Sequence, residues 1–256
     1  MSLIKKLITF YQLGILNFSR VILYRLRIYL KIHPVLYIKH KSLTGCFYNY
    51  PEEIVFKNSD DLVSLNKLKA GYYPFSGQFF PFESQFPSWH KNYLNGKISR
   101  FRNHEWWKIP DFDNDLGDIK NVWELSRYDW VVKLSALAGS GNFEAVDLLN
   151  SRLSNWVEEN QPYKGVNWKC GQEASIRLMH LIFSSILLGQ LKNPSSQLLN
   201  LVEMHIKRIA PTLSYAIAQN NNHGTSEAAA LFIGGHFLSI NGKTEYSKFE
   251  KLRPKS

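Results

Sequence analysis

The run Asn220-Asn221-Asn222-His223-Gly224-Thr225-Ser226-Glu227 sets amides, an imidazole and a carboxyl at the threshold of an apolar stretch, Ala228 to Leu238. Burying such groups unpaired costs about 1–3 kcal/mol each, so they belong in solvent, in a turn or in a functional cleft. At a helix start, backbone N–H groups and the helix dipole favour negative charge, and Asn222 and His223 add side-chain donors to that field. Glu227 follows His223 by one helical turn and stands where it can orient the imidazole. The same asparagines also suit a plain turn and N-cap.

Two upstream segments have a similar make-up. Trp123-Glu124-Leu125-Ser126-Arg127 opens one helical run, and Asn167-Trp168-Lys169-Cys170-Gly171-Gln172-Glu173-Ala174-Ser175-Ile176-Arg177 opens another. Arg127 and Arg177 are candidates for bidentate contact with a sugar carboxylate or sulfate. Glu124 and Glu173 are their natural partners. Structural ion pairing is the competing reading, above all for Glu173 and Arg177, which are one helical turn apart. Trp123 and Trp168 suit the floor of a sugar subsite or interhelical packing. Asn167 suits a hydrogen bond to a sugar hydroxyl.

Together the three segments resemble the helical domain of the heparinase II/III-like and alginate lyase-like polysaccharide lyases, over roughly residues 60–245. The resemblance implies a mainly α chain, an incomplete (α/α) toroid of antiparallel helical hairpins with a substrate cleft across one end. It implies an acidic, uronate-containing polysaccharide or oligosaccharide as partner and no cofactor or metal. Cleavage would be by β-elimination, in which a base removes the proton at C5 and the bond from C4 to the leaving oxygen breaks. Asn222 and His223 match the family's Asn-His pair and would neutralise the uronate carboxylate, with His223 also serving as base toward one sugar epimer. Trp123, Glu124, Arg127, Asn167, Trp168, Glu173, Arg177 and Glu227 are the accompanying substrate-binding candidates. The family's catalytic tyrosine and further histidine would fall after Ser256, as would its remaining helices and β-sandwich. Tyr246 lies in the wrong segment to replace that tyrosine. The expectation is therefore a truncated chain with weak activity or none. A non-catalytic glycan-binding remnant is one alternative. A glycoside hydrolase on a helical toroid is another, and it requires two opposed carboxylic acids, for which Glu124, Glu173 and Glu227 are the candidates.

The elements that position these residues divide the chain in three. Residues 1–34 read as a basic amphipathic helix, ended by His33-Pro34. Residues 35–118 hold Pro51, Pro74, Pro81, Pro87 and Pro110 among many aromatics, and read as an irregular arm of short strands and turns, with a short helix near Ser59 to Lys69. Residues 119–256 read as helices over 121–139, 142–159, 171–191, 195–219 and 225–240, with the start of another from Lys243. Short links such as Gly139-Ser140-Gly141-Asn142 make successive helices neighbours.

Composition narrows the classes further. The 256 residues carry a net charge of +10, and the first fifty hold eight basic residues and no Asp or Glu. That balance attracts polyanions generally. No zinc finger, RRM-like or Gly-rich phosphate loop points to nucleic acid or nucleotide. Cys46 and Cys170 form no framework, and Cys170 reads as a small packed residue. His223 and Glu227 are at ligand spacing, with His180, His205 and His236 on other helices, but no HExxH or three-ligand cluster is present. The first helix has no small-x-small cleavage site and is interrupted by Arg20, Arg25 and Arg27. It is expected to dock on the domain with its basic face wet, or to lie on a membrane surface. The corresponding location is cytoplasmic or membrane-peripheral rather than periplasmic.

Overall fold

The computed structural model describes residues 3–39, 42–56, 62–82, 86–110 and 112–251, with side chains from residue 14 onward except at 62–64. Ser59 and the last five residues lie outside the described part. The chain is mainly helical.

Helix α1 (Leu3–Tyr29) is bent at Gly14, whose φ of 73° and ψ of 160° leave the helical region. A 310 turn follows at Pro34–Tyr37, and α2 spans Leu62–Lys69. Strands β1 (Tyr72–Phe75) and β2 (Gln78–Pro81) form an antiparallel hairpin with Tyr73 opposite Phe80. Ser76 and Gly77 both have positive φ at its turn, the geometry that matches strand twist in a two-residue loop. The rest of the arm is irregular, as its prolines and glycines require.

Beyond the arm come α3 (Lys120–Trp123), α4 (Asp129–Gly139), α5 (Glu144–Glu159), α6 (Gly171–Leu187), α7 (Ser196–Ile209), α8 (Leu213–Ala218) and α9 (Asn222–Ile240), then a 310 segment at Thr244–Lys251. Two of the expected helices are broken. Tyr128, in the left-handed region at φ 72°, separates α3 and a 310 turn from α4. Its fully buried ring packs edge-on against Trp130 and Trp156, which fixes this unusual backbone. Pro211 has no N–H to continue α7, so a 310 turn intervenes before α8. Helix α9 begins at Asn222 rather than Thr225, because the Asn221 side chain accepts a hydrogen bond from the His223 N–H at 3.0 Å and caps it.

Helix α6 is central: it packs on α4, α7 and α9, while α1 lies across α8. Most of the aromatic residues serve the core. Tyr73, Trp89, Trp130, Tyr128, Trp156 and Trp168 form an unbroken chain of ring contacts. The final 310 segment is tied down by Glu203, which accepts hydrogen bonds from Lys243 and from Tyr246. Burial pushes the Glu203 carboxyl up, but hydrogen bonds from Lys207, Lys243 and Tyr246 outweigh it and hold the pKa at about 2.

A close backbone approach joins the ends of α4 and α6. A Cβ on Gly139 would stand 2.1 Å from the Leu187 carbonyl oxygen and 3.0 Å from the Phe56 ring. Gly139→Ala is therefore expected to cost about 1–3 kcal/mol, read as a lower urea midpoint with an unchanged slope.

Candidate active-site cleft

Two cavities open side by side at the starts of α6 and α9. The larger, about 1050 Å³, is lined by Asn222 and His223 from α9, by Gln172 and Glu173 from α6, and by Arg127, Lys120 and Trp123. The arm closes it with Phe101, Ile109, Pro110, Phe112 and Asp113. The smaller, about 510 Å³, lies under α1 and is lined by Tyr24, Trp106, Trp107, Arg208, Tyr215 and Glu227. Ile109, Pro110, Trp123, Cys170 and His223 border both cavities, so the imidazole stands on the partition between them.

Helices α4, α6 and α9 run in one direction. At the cleft end Arg127 binds Glu173, and Glu227 sits beside Gly171. At the other end Gly139 meets Leu187, and the Asn241 amide donates to the Leu191 carbonyl at 3.0 Å. The N-termini of α6 and α9 thus meet at the large cavity, where the helix dipoles favour an anion, although the His223 N–H is already held by the Asn221 cap. Asn222 is exposed and His223 half-buried. Burial lowers the His223 pKa, only partly opposed by the Glu173 charge, so its imidazole is neutral and able to accept a proton.

Arg127 is already engaged. It donates through Nε and Nη2 to both Glu173 oxygens, at 2.8 and 2.9 Å, and through Nη1 to Glu124 at 2.6 Å. The other Glu124 oxygen accepts from the Ser76 N–H at 3.0 Å, tying the hairpin to this cluster. The hydrogen bonds to Glu173 raise the guanidinium pKa above its ordinary value. Glu124 and Glu173 therefore converge on one cation rather than facing each other across open space, which is not the opposed pair that glycoside hydrolysis needs.

Three sequence candidates belong to the core instead. Arg177 is fully buried and lies 5.2 Å from the ring centres of both Trp156 and Trp168; it donates to the Asn167 carbonyl at 2.7 Å and to the His205 Nε2 at 3.2 Å. Burial pulls its pKa down to about 10. It makes neither the Glu173 pair nor an anion contact in the cleft. Asn167 is fully buried and donates to Trp89 and Asn160, and Trp168 is buried with its indole N–H on the Asn160 carbonyl. The 310 turn at Val166–Trp168 turns both side chains inward, where neither can touch a sugar. Trp123, by contrast, reaches both cavities while its N–H holds the Val166 carbonyl at 2.8 Å.

Sequence reading missed the roof and floor of the smaller cavity. The roof includes Trp106 and Trp107, and the adjacent aromatics followed by Lys108 were the available signal. The floor is Arg208, buried, with its guanidinium 3.6 Å from the Trp106 ring centre and hydrogen bonds to the Trp168 and Lys169 carbonyls. Cys170, expected as a small packed residue, is partly buried and also borders both cavities, with burial raising its thiol pKa.

Glu227 is 3% exposed, and its Oε2 has no hydrogen-bond partner. Its carboxyl leaves no room for a side chain at 171, where a Cβ would lie 2.4 Å from Oε1. Burial raises the Glu227 pKa to about 7, against the pull of Arg208. On raising the pH, the unfolded chain loses this proton first. The group's contribution to stability is thus greatest below the ordinary carboxylate value and falls as pH climbs through about 7. Glu227→Gln is expected to remove that decline, about 2–3 kcal/mol in full, between two denaturant titrations at pH 5 and about pH 8.

No family model, curated protein or solved structure matches the chain.

Proposed function

We propose that the cleft binds an acidic, uronate-containing glycan and that the chain is a polysaccharide lyase domain cleaving by β-elimination. The observation that carries this reading is the meeting of the α6 and α9 N-termini with Asn222 and His223 at one open cavity. A uronate carboxylate placed there accepts from the Asn222 amide and lies at the positive ends of the two helix dipoles. Withdrawing its charge acidifies the C5 proton and stabilises the enolate-like intermediate. The neutral His223 imidazole then takes that proton as general base. Trp123, only 8% exposed, forms part of the partition beside this site. The common direction of α4, α6 and α9, with α5 and then α7 and α8 intervening in the chain, supports an array of antiparallel hairpins curving toward a toroid.

The test is incubation with a panel of uronate polymers, following the ultraviolet absorbance of unsaturated sugar ends. Appearance of that absorbance with at least one polymer is the expected result, and its absence across the panel, with no oligosaccharide binding by calorimetry, ends the proposal. A binding-only role is the second reading. It is favoured by one observation: among the described residues lining the large cavity there is no tyrosine to serve as general acid. Binding by calorimetry without new absorbance would select it.

A further inference from the structure

We propose that the outward face of α1 docks the protein on an anionic lipid bilayer. The inward face of this helix is accounted for: Tyr24 stacks on Tyr215 at 4.2 Å and packs edge-on to His33, and Tyr24 and Ile28 wall the smaller cavity. The opposite face carries large apolar side chains in water. Ile15 is 89% exposed, Leu16 65%, and Ile22, Leu23 and Leu26 are each close to half exposed. Leu16, Leu23 and Leu30 recur every seven residues, beside Ile15, Ile22 and Tyr29, so these side chains form one continuous stripe along the helix. An apolar stripe of this length on an exposed helix is not ordinary surface composition.

Charge selects the occupant. Arg20 and Arg27 border the stripe, and the first fifty residues hold eight basic side chains and no acidic one. A second copy of α1 would bring like charge against like charge with no carboxylate to pair it. An anionic headgroup layer offers the complement: phosphates for the arginines and acyl chains for the stripe. No helix among the described residues is long and apolar enough to cross a membrane, so the contact lies in the plane of the surface. Because α1 also walls the smaller cavity, docking would hold that cavity beside the lipid, and this geometry does not depend on what the cleft binds.

The full chain is to be sedimented with vesicles of phosphatidylcholine alone and of phosphatidylcholine with one-quarter phosphatidylglycerol, at two salt concentrations. The expected result is partition onto the anionic vesicles, weakened by salt and much smaller on the neutral ones. Leu23→Glu with Leu26→Glu is expected to reduce that partition by at least about tenfold. Arg20→Ser and Arg27→Ser are expected to reduce it about fivefold each. The substituted side chains face solvent, so circular dichroism should show unchanged folding. Equal partition onto both vesicle types overturns the proposal, as does no partition onto either. It is also overturned if the Leu23/Leu26 variant abolishes a concentration-dependent dimer seen by analytical ultracentrifugation while vesicle binding persists.

Discussion

A His223→Ala chain is expected to form unsaturated product about 10²–10⁴-fold more slowly than the parent on any uronate polymer the parent cleaves, with oligosaccharide affinity changed far less. Alanine is a good helix former, and His223 lies in the first turn of α9, so the helix start should survive. The Asn221 cap is made to the backbone N–H of residue 223, which alanine retains. What disappears, on the proposed mechanism, is the proton acceptor. Burial lowers the His223 pKa, so the parent's rate should reach its plateau at a lower pH than an ordinary histidine would allow. A parent rate that kept rising well above neutral pH would show that another group is the base. Initial rates by ultraviolet absorbance across pH, for parent and variant, decide both points.

Replacing Trp156 by alanine should destabilise the fold by about 3–5 kcal/mol. The ring is fully buried and touches Tyr128 and Trp168, and its N–H donates to the Ser126 hydroxyl at 3.0 Å. It is also one of the two indole faces against the Arg177 guanidinium. Truncation therefore leaves a void beside a buried cation that has lost an aromatic partner. Trp156→Phe keeps most of the volume and a π face, and should cost roughly half as much. Urea denaturation followed by circular dichroism separates the two. Similar midpoints for Trp156→Ala and the parent would mean that the core collapses to fill the gap.

The helix-rich second half was legible from apolar spacing, and so was the Asn-His segment at a helix start. Both follow from local chemistry: periodicity decides which face is buried, and amides crowd at caps. The break at Tyr128 was not legible, because the ring that holds its left-handed backbone does so through Trp130 and Trp156, the latter far along the sequence. Asn167, Trp168 and Arg177 looked like cleft residues for the same reason. Their residue types suit sugar binding, but a single 310 turn points the first two inward, and Arg177 lies on the buried face of α6. Sequence also suggested a Glu173–Arg177 pair from its helical spacing. Arg127 takes that carboxylate instead, since it presents a bidentate fork from another element, while Arg177 rests against two touching indoles.

The shared direction of α4, α6 and α9 has a kinetic meaning beyond the bound state. Head-to-head helices would cancel one another's fields, whereas these three point the same way, so the positive ends of their dipoles lie together at the cleft end. An anionic group that reaches the cleft end would meet three aligned dipole ends at once, so its capture should slow with added electrolyte even where the final affinity is set by close-range hydrogen bonds.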